Sequence, residues 1–285
     1  MKYLLYNPLS GSGKSRVDAE CYDALCDEKC KLVDMTDIAN LADFFEILDH
    51  TDEIYIFGGD GTLNKFVNGI GNTAPKNKIY YYPSGTGNDF SLDTGHVDIK
   101  TPFLINDYIV DLPSVTVKGQ TYKFINGVGY GIDGYCCEVG DELKALHKLP
   151  NYTSIAIKGL LFYYKPTGAT VTVDGKCEHY KKVWIAPTMH GSHYGGGMIP
   201  TPNQKREDKS NLSLMLFHSS GKLRTLSIFP SIFKGTHTKH KKYVTVLTGK
   251  EITVRFDRPT ALQIDGETIL GVEEYTARVS ECALV

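Results

Sequence analysis

Three short glycine-bearing segments carry the residue types that handle phosphate. Gly58-Gly59-Asp60-Gly61-Thr62 is the most informative of them. Paired glycines let a backbone approach a triphosphate closely, and Gly61 permits a turn that side chains would block. A carboxylate beside a phosphate is repulsive unless a divalent cation bridges the two, so Asp60 in such a loop predicts Mg²⁺. A Gly-Asp-Gly turn with no ligand is the plainer reading of the same residues. Pro83-Ser84-Gly85-Thr86-Gly87-Asn88-Asp89-Phe90 again joins glycines to hydroxyl, amide and carboxylate groups. Gly11-Ser12-Gly13-Lys14-Ser15 ends like a Walker A loop, but Pro8 stands where that motif requires glycine. What remains is Asn7-Pro8-Leu9-Ser10-Gly11, whose N–H groups and serine hydroxyls either face a phosphate or simply turn the chain.

Each segment follows a strand candidate. Lys2 to Tyr6 reads as a short buried strand, Leu32 to Met35 as a second, Ile54 to Phe57 as a third and Ile79 to Tyr82 as a fourth. Helical spacing appears after Ser15, over Ile38 to Leu48 and over Leu63 to Ile70. Strands alternating with helices predict a doubly wound, mostly parallel sheet whose ligand loops lie at the carboxyl ends of the strands. From about Asp107 the texture changes to Val-, Thr-, Tyr- and Ile-rich runs separated by Gly, Asn and Asp: 114–117, 122–126, 169–173, 182–187, 212–217, 243–247 and 251–256. Regularly spaced strand and turn signals predict an antiparallel β-sandwich domain, interrupted by one helical insertion near 139–164. The expected division is therefore 1–108 as an α/β nucleotide-binding domain, with about 272–285 as a candidate segment to complete it, and 109–271 as a β-rich substrate domain.

Composition narrows the class. The chain has 285 residues, 41% of them hydrophobic and 22% charged, with a net charge of −2, the profile of a globular protein with ample core. No overall basic field suggests nucleic acid. Seven cysteines are an odd number without a framework, which favours a reducing compartment, the cytoplasm. The start turns polar at Asn7 and Ser10, too soon for a signal peptide, and no run of about 18 apolar residues predicts a transmembrane segment. Lipid contact, if made, is expected from the surface, peripheral to the membrane. Cys21, Cys26 and Cys30 find no partner set for zinc and read as buried thiols. His190 and His193 read as solvated loop residues rather than catalysts. The basic stretch Lys234 to Lys242 reads as a solvated edge that could help hold anionic lipid.

In order and spacing, Asn7-Pro8 with Ser10-Gly11, Gly58 to Thr62, and Pro83 to Phe90 resemble the diacylglycerol kinase catalytic domain shared with sphingosine and ceramide kinases. Downstream, Phe124-Ile125-Asn126, Gly129 to Asp133, Gly195 to Met198, Thr201-Pro202 and Gln263-Ile264-Asp265-Gly266-Glu267 resemble second-domain landmarks of soluble bacterial lipid kinases. The resemblance covers nearly the whole chain. It implies an ATP- and Mg²⁺-dependent kinase that phosphorylates a hydroxyl of diacylglycerol or a related lipid. Carried over by position, Asn7, Ser10, Gly11, Thr36, Gly58, Gly59, Asp60, Gly61, Thr62 and Thr86 contact nucleotide. Asp60 arranges the metal and phosphate, Asp89 supports the same metal, and Glu267 is the general base. A base fits the chemistry, because an alcohol is a poor nucleophile; by itself, Asp265-Gly266-Glu267 also reads as a hairpin turn.

One departure concerns a structural Mg²⁺ that the soluble bacterial members hold at Asp-Asp-Gly-Leu. Here the matching stretch is Lys205 to Leu212, without the glycine, and Asp208 is the residue carried over as a metal ligand. Two alternatives stand beside the lipid kinase: an NAD kinase, which shares the Gly-Gly-Asp-Gly-Thr loop but lacks the flanking motifs, and a non-catalytic nucleotide or lipid binder on the same scaffold. A homodimer formed by strand-edge pairing is compatible with such a scaffold.

Overall fold

The computed structural model describes residues 1–71, 75–98 and 100–281 and divides into two compact units, Met1–Val110 and Asp111–Val285. In the first unit β1 (Lys2–Tyr6), α1 (Lys14–Leu25), β2 (Cys30–Asp34), α2 (Leu41–Glu46), β3 (Glu53–Gly58), α3 (Asp60–Gly69), β4 (Lys78–Pro83), α4 (Asp89–Asp93), β5 (Phe103–Leu104) and α5 (Asn106–Ile109) follow one another. The sheet order is β2-β1-β3-β4-β5, parallel except for β5. β3 is buried along almost its whole length, as a strand covered on both faces must be. Leu4, Ala19, Tyr55 and Phe57 form one core cluster, and Phe45 of α2 meets Phe66 of α3 edge to face at 5.8 Å.

The expected helix over 38–48 is shorter, for a local reason. Asp34 caps a 3₁₀ turn over Met35–Asp37, and the Asn40 side chain accepts the Ala42 N–H, so α2 starts only at Leu41.

The second unit runs β6 (Ser114–Val117), β7 (Gln120–Lys123), β8 (Gly127–Gly131), α6 (Ile132–Ala145), α7 (Tyr152–Lys158), β9 (Thr167–Val173), β10 (Lys176–Val183), β11 (Ile185–Met189), β12 (Leu212–Phe217), α8 (Lys222–Ile228), β13 (Val244–Gly249), β14 (Glu251–Ile264) and β15 (Glu267–Arg278). All pairings are antiparallel, in the order β13-β12-β11-β8-β14-β15-β6-β7, with β9 joining β14 to β10. β14 organises this sandwich. Its first half pairs with β9 and its second with β8, and the register shifts between Arg255 and Thr260, where Pro259 removes a donor. The two halves enclose Val128, Tyr130, Val171, Val254, Phe256, Leu262 and Tyr275.

Two expectations are corrected here. Residues 267–278 form β15, paired with β14 and β6, so they build the second sheet and do not complete the first; residues 282–285 lie outside the described residues. The single strand expected at 182–187 is two strands, broken at Trp184, whose indole N–H donates to the Ser220 carbonyl. Among the described residues no helix is long and apolar enough to cross a membrane.

Candidate active site

In the first unit β1 lies between β2 and β3, so the strand order reverses there. Such a switch point opens a crevice at the carboxyl ends of the strands. All three glycine-bearing loops leave from those ends, and they touch. The Gly59 N–H donates to Ser10 Oγ at 3.0 Å, and Asn7 Nδ2 donates to Thr62 Oγ1 at 3.3 Å. The Ser84 N–H donates to the Gly58 carbonyl at 2.8 Å. Glycine is required at the crossings: a Cβ on Gly85 would stand 2.5 Å from Gly59 Cα, and one on Gly11, at φ +57°, 2.6 Å from the Ser84 carbonyl oxygen.

Asp60 is the first residue of α3 and ties the second loop to the third. Its Oδ2 accepts the Asp89 N–H at 3.0 Å and its Oδ1 the Phe90 N–H at 2.9 Å. Each oxygen keeps a lone pair for a further partner. Asn88, at φ 48°, shapes the third loop by accepting the Gly85 N–H and donating to the Gly85 carbonyl. Thr86 is exposed at the tip of this loop, and Thr36 is exposed at the end of β2, its N–H and hydroxyl both donating to Asp34 Oδ1.

Buried hydroxyls mark the same place. Ser84 Oγ, Ser91 Oγ and Tyr81 OH are buried without a hydrogen-bond partner, a condition that costs about 1–3 kcal/mol per group. Burial, then the nearby Asp60 and Asp89 carboxylates, hold the Tyr81 phenol well above its ordinary pKa. Backbone N–H groups, short hydroxyls and the Asp60 and Asp89 carboxylates, brought together by the three loops, suit a ligand rich in phosphate oxygens with its cation. Among the described residues no three His, Cys, Asp or Glu side chains converge as a metal cage. Mg²⁺ takes only one or two carboxylates and fills its shell with phosphate and water, so Asp60 followed by Asp89 fits it.

In the second unit Glu267 is the exposed first residue of β15. It follows a two-residue hairpin, Asp265-Gly266, with φ of 46° and 94°, the left-handed pair of a type I′ turn. The Asp265 carboxylate accepts the N–H groups of Ile125, Asn126 and Gly127 at 2.5, 2.8 and 2.9 Å. Arg206, 2% exposed, secures that segment by donating to the Ile125 carbonyl and to Asn126 Oδ1.

Asp208 is exposed. Its Oδ1 accepts the N–H and hydroxyl of Ser210, a local turn that holds its carboxyl below the ordinary range. The triple glycine closes a turn in which Gly195, Gly196 and Gly197 all have positive φ, and Tyr194 and Met198 exchange backbone hydrogen bonds at 3.0 Å.

Sequence reasoning assigned no role to Ser84, Asn88, Arg206, Asp133 or Gln263. Ser84, Asn88, Asp133 and Gln263 lie inside the family-like motifs and Arg206 inside the Lys205 to Leu212 stretch, but nothing local distinguishes a buried arginine from a solvated one.

The "Diacylglycerol kinase catalytic domain" profile matches residues 2–106, and the "YegS C-terminal NAD kinase beta sandwich-like domain" profile matches 126–284. The diacylglycerol kinase of Mycobacterium tuberculosis is 27% identical over 250 residues, 82% of this chain and 79% of that protein. Two Bacillus anthracis structures share the fold, with TM-scores of 0.66 and 0.60 at 19% and 17% identity; both align over all of this chain, covering 96% and 98% of theirs, and the second is described as a diacylglycerol kinase. The chain thus belongs to the diacylglycerol kinase family of lipid kinases, with a catalytic-domain first unit and a YegS-type sandwich as its second.

Proposed function

We propose that this kinase transfers the γ-phosphoryl group of ATP to a hydroxyl of diacylglycerol or a closely related lipid, working from the surface of a membrane. The observation that carries the reading is the mutual bonding of the three loops at the switch point, with unpartnered hydroxyls at Ser84 and Tyr81. The backbone of the three loops and the hydroxyls of Ser10, Thr62 and Ser84 would bind the polyphosphate, and Asp60, with Asp89, would hold Mg²⁺. When bound, that cation neutralises charge building on the phosphate oxygens. Glu267 accepts the proton of the lipid hydroxyl as its oxygen bonds to the γ-phosphorus and the bond to the β-phosphate oxygen breaks. Glu267 takes this role from the family resemblance.

The test is turnover of radiolabelled ATP with diacylglycerol in detergent micelles, beside a panel of lipid alcohols and NAD. A labelled phospholipid, lost in Asp60→Ala, is expected. Labelled NADP with no lipid product would overturn the lipid reading in favour of an NAD kinase, which the type of sandwich keeps in view.

A further inference from the structure

Behind the hairpin that bears Glu267 lies a buried polar relay that the proposed chemistry does not use. Gln263, 4% exposed, precedes the turn, and its Oε1 accepts the Gly266 N–H at 2.7 Å. Its amide also bonds the carboxylate of Asp133, in the first turn of α6. Asp133, 8% exposed, is held in turn by the Tyr194 hydroxyl at 3.2 Å and the Gly134 N–H at 3.0 Å. Gly129 of β8 makes room for the meeting, since a Cβ there would overlap the Asp133 carboxylate and come within 2.5 Å of Gln263 Nε2. Gly129, Asp133 and Gln263 are thereby three parts of one device.

Buried carboxylates are costly, and one with no cation beside it needs a compensating role. Here an apolar residue could have filled the space under the hairpin. Instead the acid fixes which way the Gln263 amide faces: Nε2 toward Asp133, hence Oε1 toward Gly266. Turned the other way, the amide would set a donor against the Gly266 N–H and release the turn. Asp265 clamps the other side of the same turn.

We infer that Gln263, oriented by Asp133, is a positioning residue for phosphoryl transfer: it sets the Gly266 peptide and so the direction in which Glu267 leaves the hairpin. This rests on the reading of Glu267 as the general base. Misplacement of a catalytic group by about 1 Å costs on the order of a hundredfold.

The test uses the full chain, ATP and diacylglycerol micelles. Gln263→Leu should lower kcat about 10–100-fold while both KM values stay within about twofold. Gln263→Leu combined with Glu267→Gln should be no slower than Glu267→Gln alone, because Gln263 acts only through Glu267. Gln263→Glu supplies a second readout if the leucine variant does not fold. Two facing carboxylates keep both bonds only while they share a proton, so the ratio of variant to wild-type kcat should rise as pH falls from about 8 to about 5.5. The other groups facing Asp133 are Cys136 and Cys137 of α6, Tyr164, Tyr194 and Tyr275, and burial pushes all five pKa values upward, away from that window.

Additive losses in the double variant, or a flat pH ratio, would overturn the positioning role while leaving the base intact. Full activity in Glu267→Gln, or no turnover by the wild type on any lipid alcohol, would remove the base and the relay together.

Discussion

The three loops of the first unit and the hairpin of the second solve different problems of placement. The loops are joined mainly by backbone groups and short polar side chains, the Ser10 hydroxyl, the Asn7 amide and the Asp60 carboxylate, with glycines at the Gly11 and Gly85 crossings. The hairpin is held by charged and amide side chains, the half-buried Asp265 and the buried Gln263, Asp133 and Arg206. A polyphosphate is recognised by many N–H groups at once, so what matters is how closely the backbone can approach, and side chains are removed. A general base is a single group that must point one way, so side chains are added behind it to fix one turn.

The comparison is broken most directly at Glu267. Glu267→Gln should lower kcat by about 10²–10⁴-fold. Because the side chain is exposed, thermal stability should stay within about 0.5 kcal/mol. A large fall in melting temperature would mean that the hairpin residue is structural, like those beneath it.

Next in size is the charge stored behind the hairpin. Burial, opposed by the Gly134 N–H and the Tyr194 hydroxyl, raises Asp133 from 3.8 to about 6. The folded chain then binds this proton more tightly than the unfolded one. The associated stability is present in full below pH 3.8 and is lost as pH rises through about 6, by about 3 kcal/mol at 1.36 kcal/mol per pH unit. Asp133→Asn should flatten that part of a denaturation profile measured from pH 4 to 7.

Where two loops cross, the response should be to bulk. Gly85→Ala places a methyl 2.5 Å from Gly59 Cα, backbone against backbone. It should raise the KM for ATP about tenfold and destabilise the chain by about 2 kcal/mol, read by kinetics and urea unfolding. The smallest effect is expected for Ser10→Ala, which removes the acceptor of the Gly59 N–H and should cost about 1 kcal/mol in nucleotide affinity or stability.

Much of the first unit is legible from local pattern. Lys2 to Tyr6 and the strand ending at Gly58 are apolar runs closed by turn residues, and their periodicity marks the limits of the elements. The second unit hides more. β8 is glycine-rich because it lies against Asp133, Met189 and the Trp184 carbonyl, so no apolar run marks it; the strand expected at 122–126 is instead the end of β7, with β8 starting at Gly127 and every residue of it buried. β10, Lys-Cys-Glu-His-Tyr-Lys-Lys-Val, pairs with β9 alone and exposes most of its side chains, so no apolar alternation betrays it. The Asp-Gly pair at 265–266 is visible as a hairpin, yet nothing local tells that its carboxylate reaches back to residues 125–127.

The order and composition of the phosphate-type loops, the change from alternating helices and strands to strands alone, and the kinship with lipid kinases are all set by residues near one another in the chain. Which groups bond across it, Asp60 to the start of α4, Asp133 to Gln263, Arg206 to Asn126, and which strand closes which sheet, arise only on folding. Those choices depend on contacts between residues tens to more than a hundred positions apart, whose energies register only when desolvation and packing have brought the partners together.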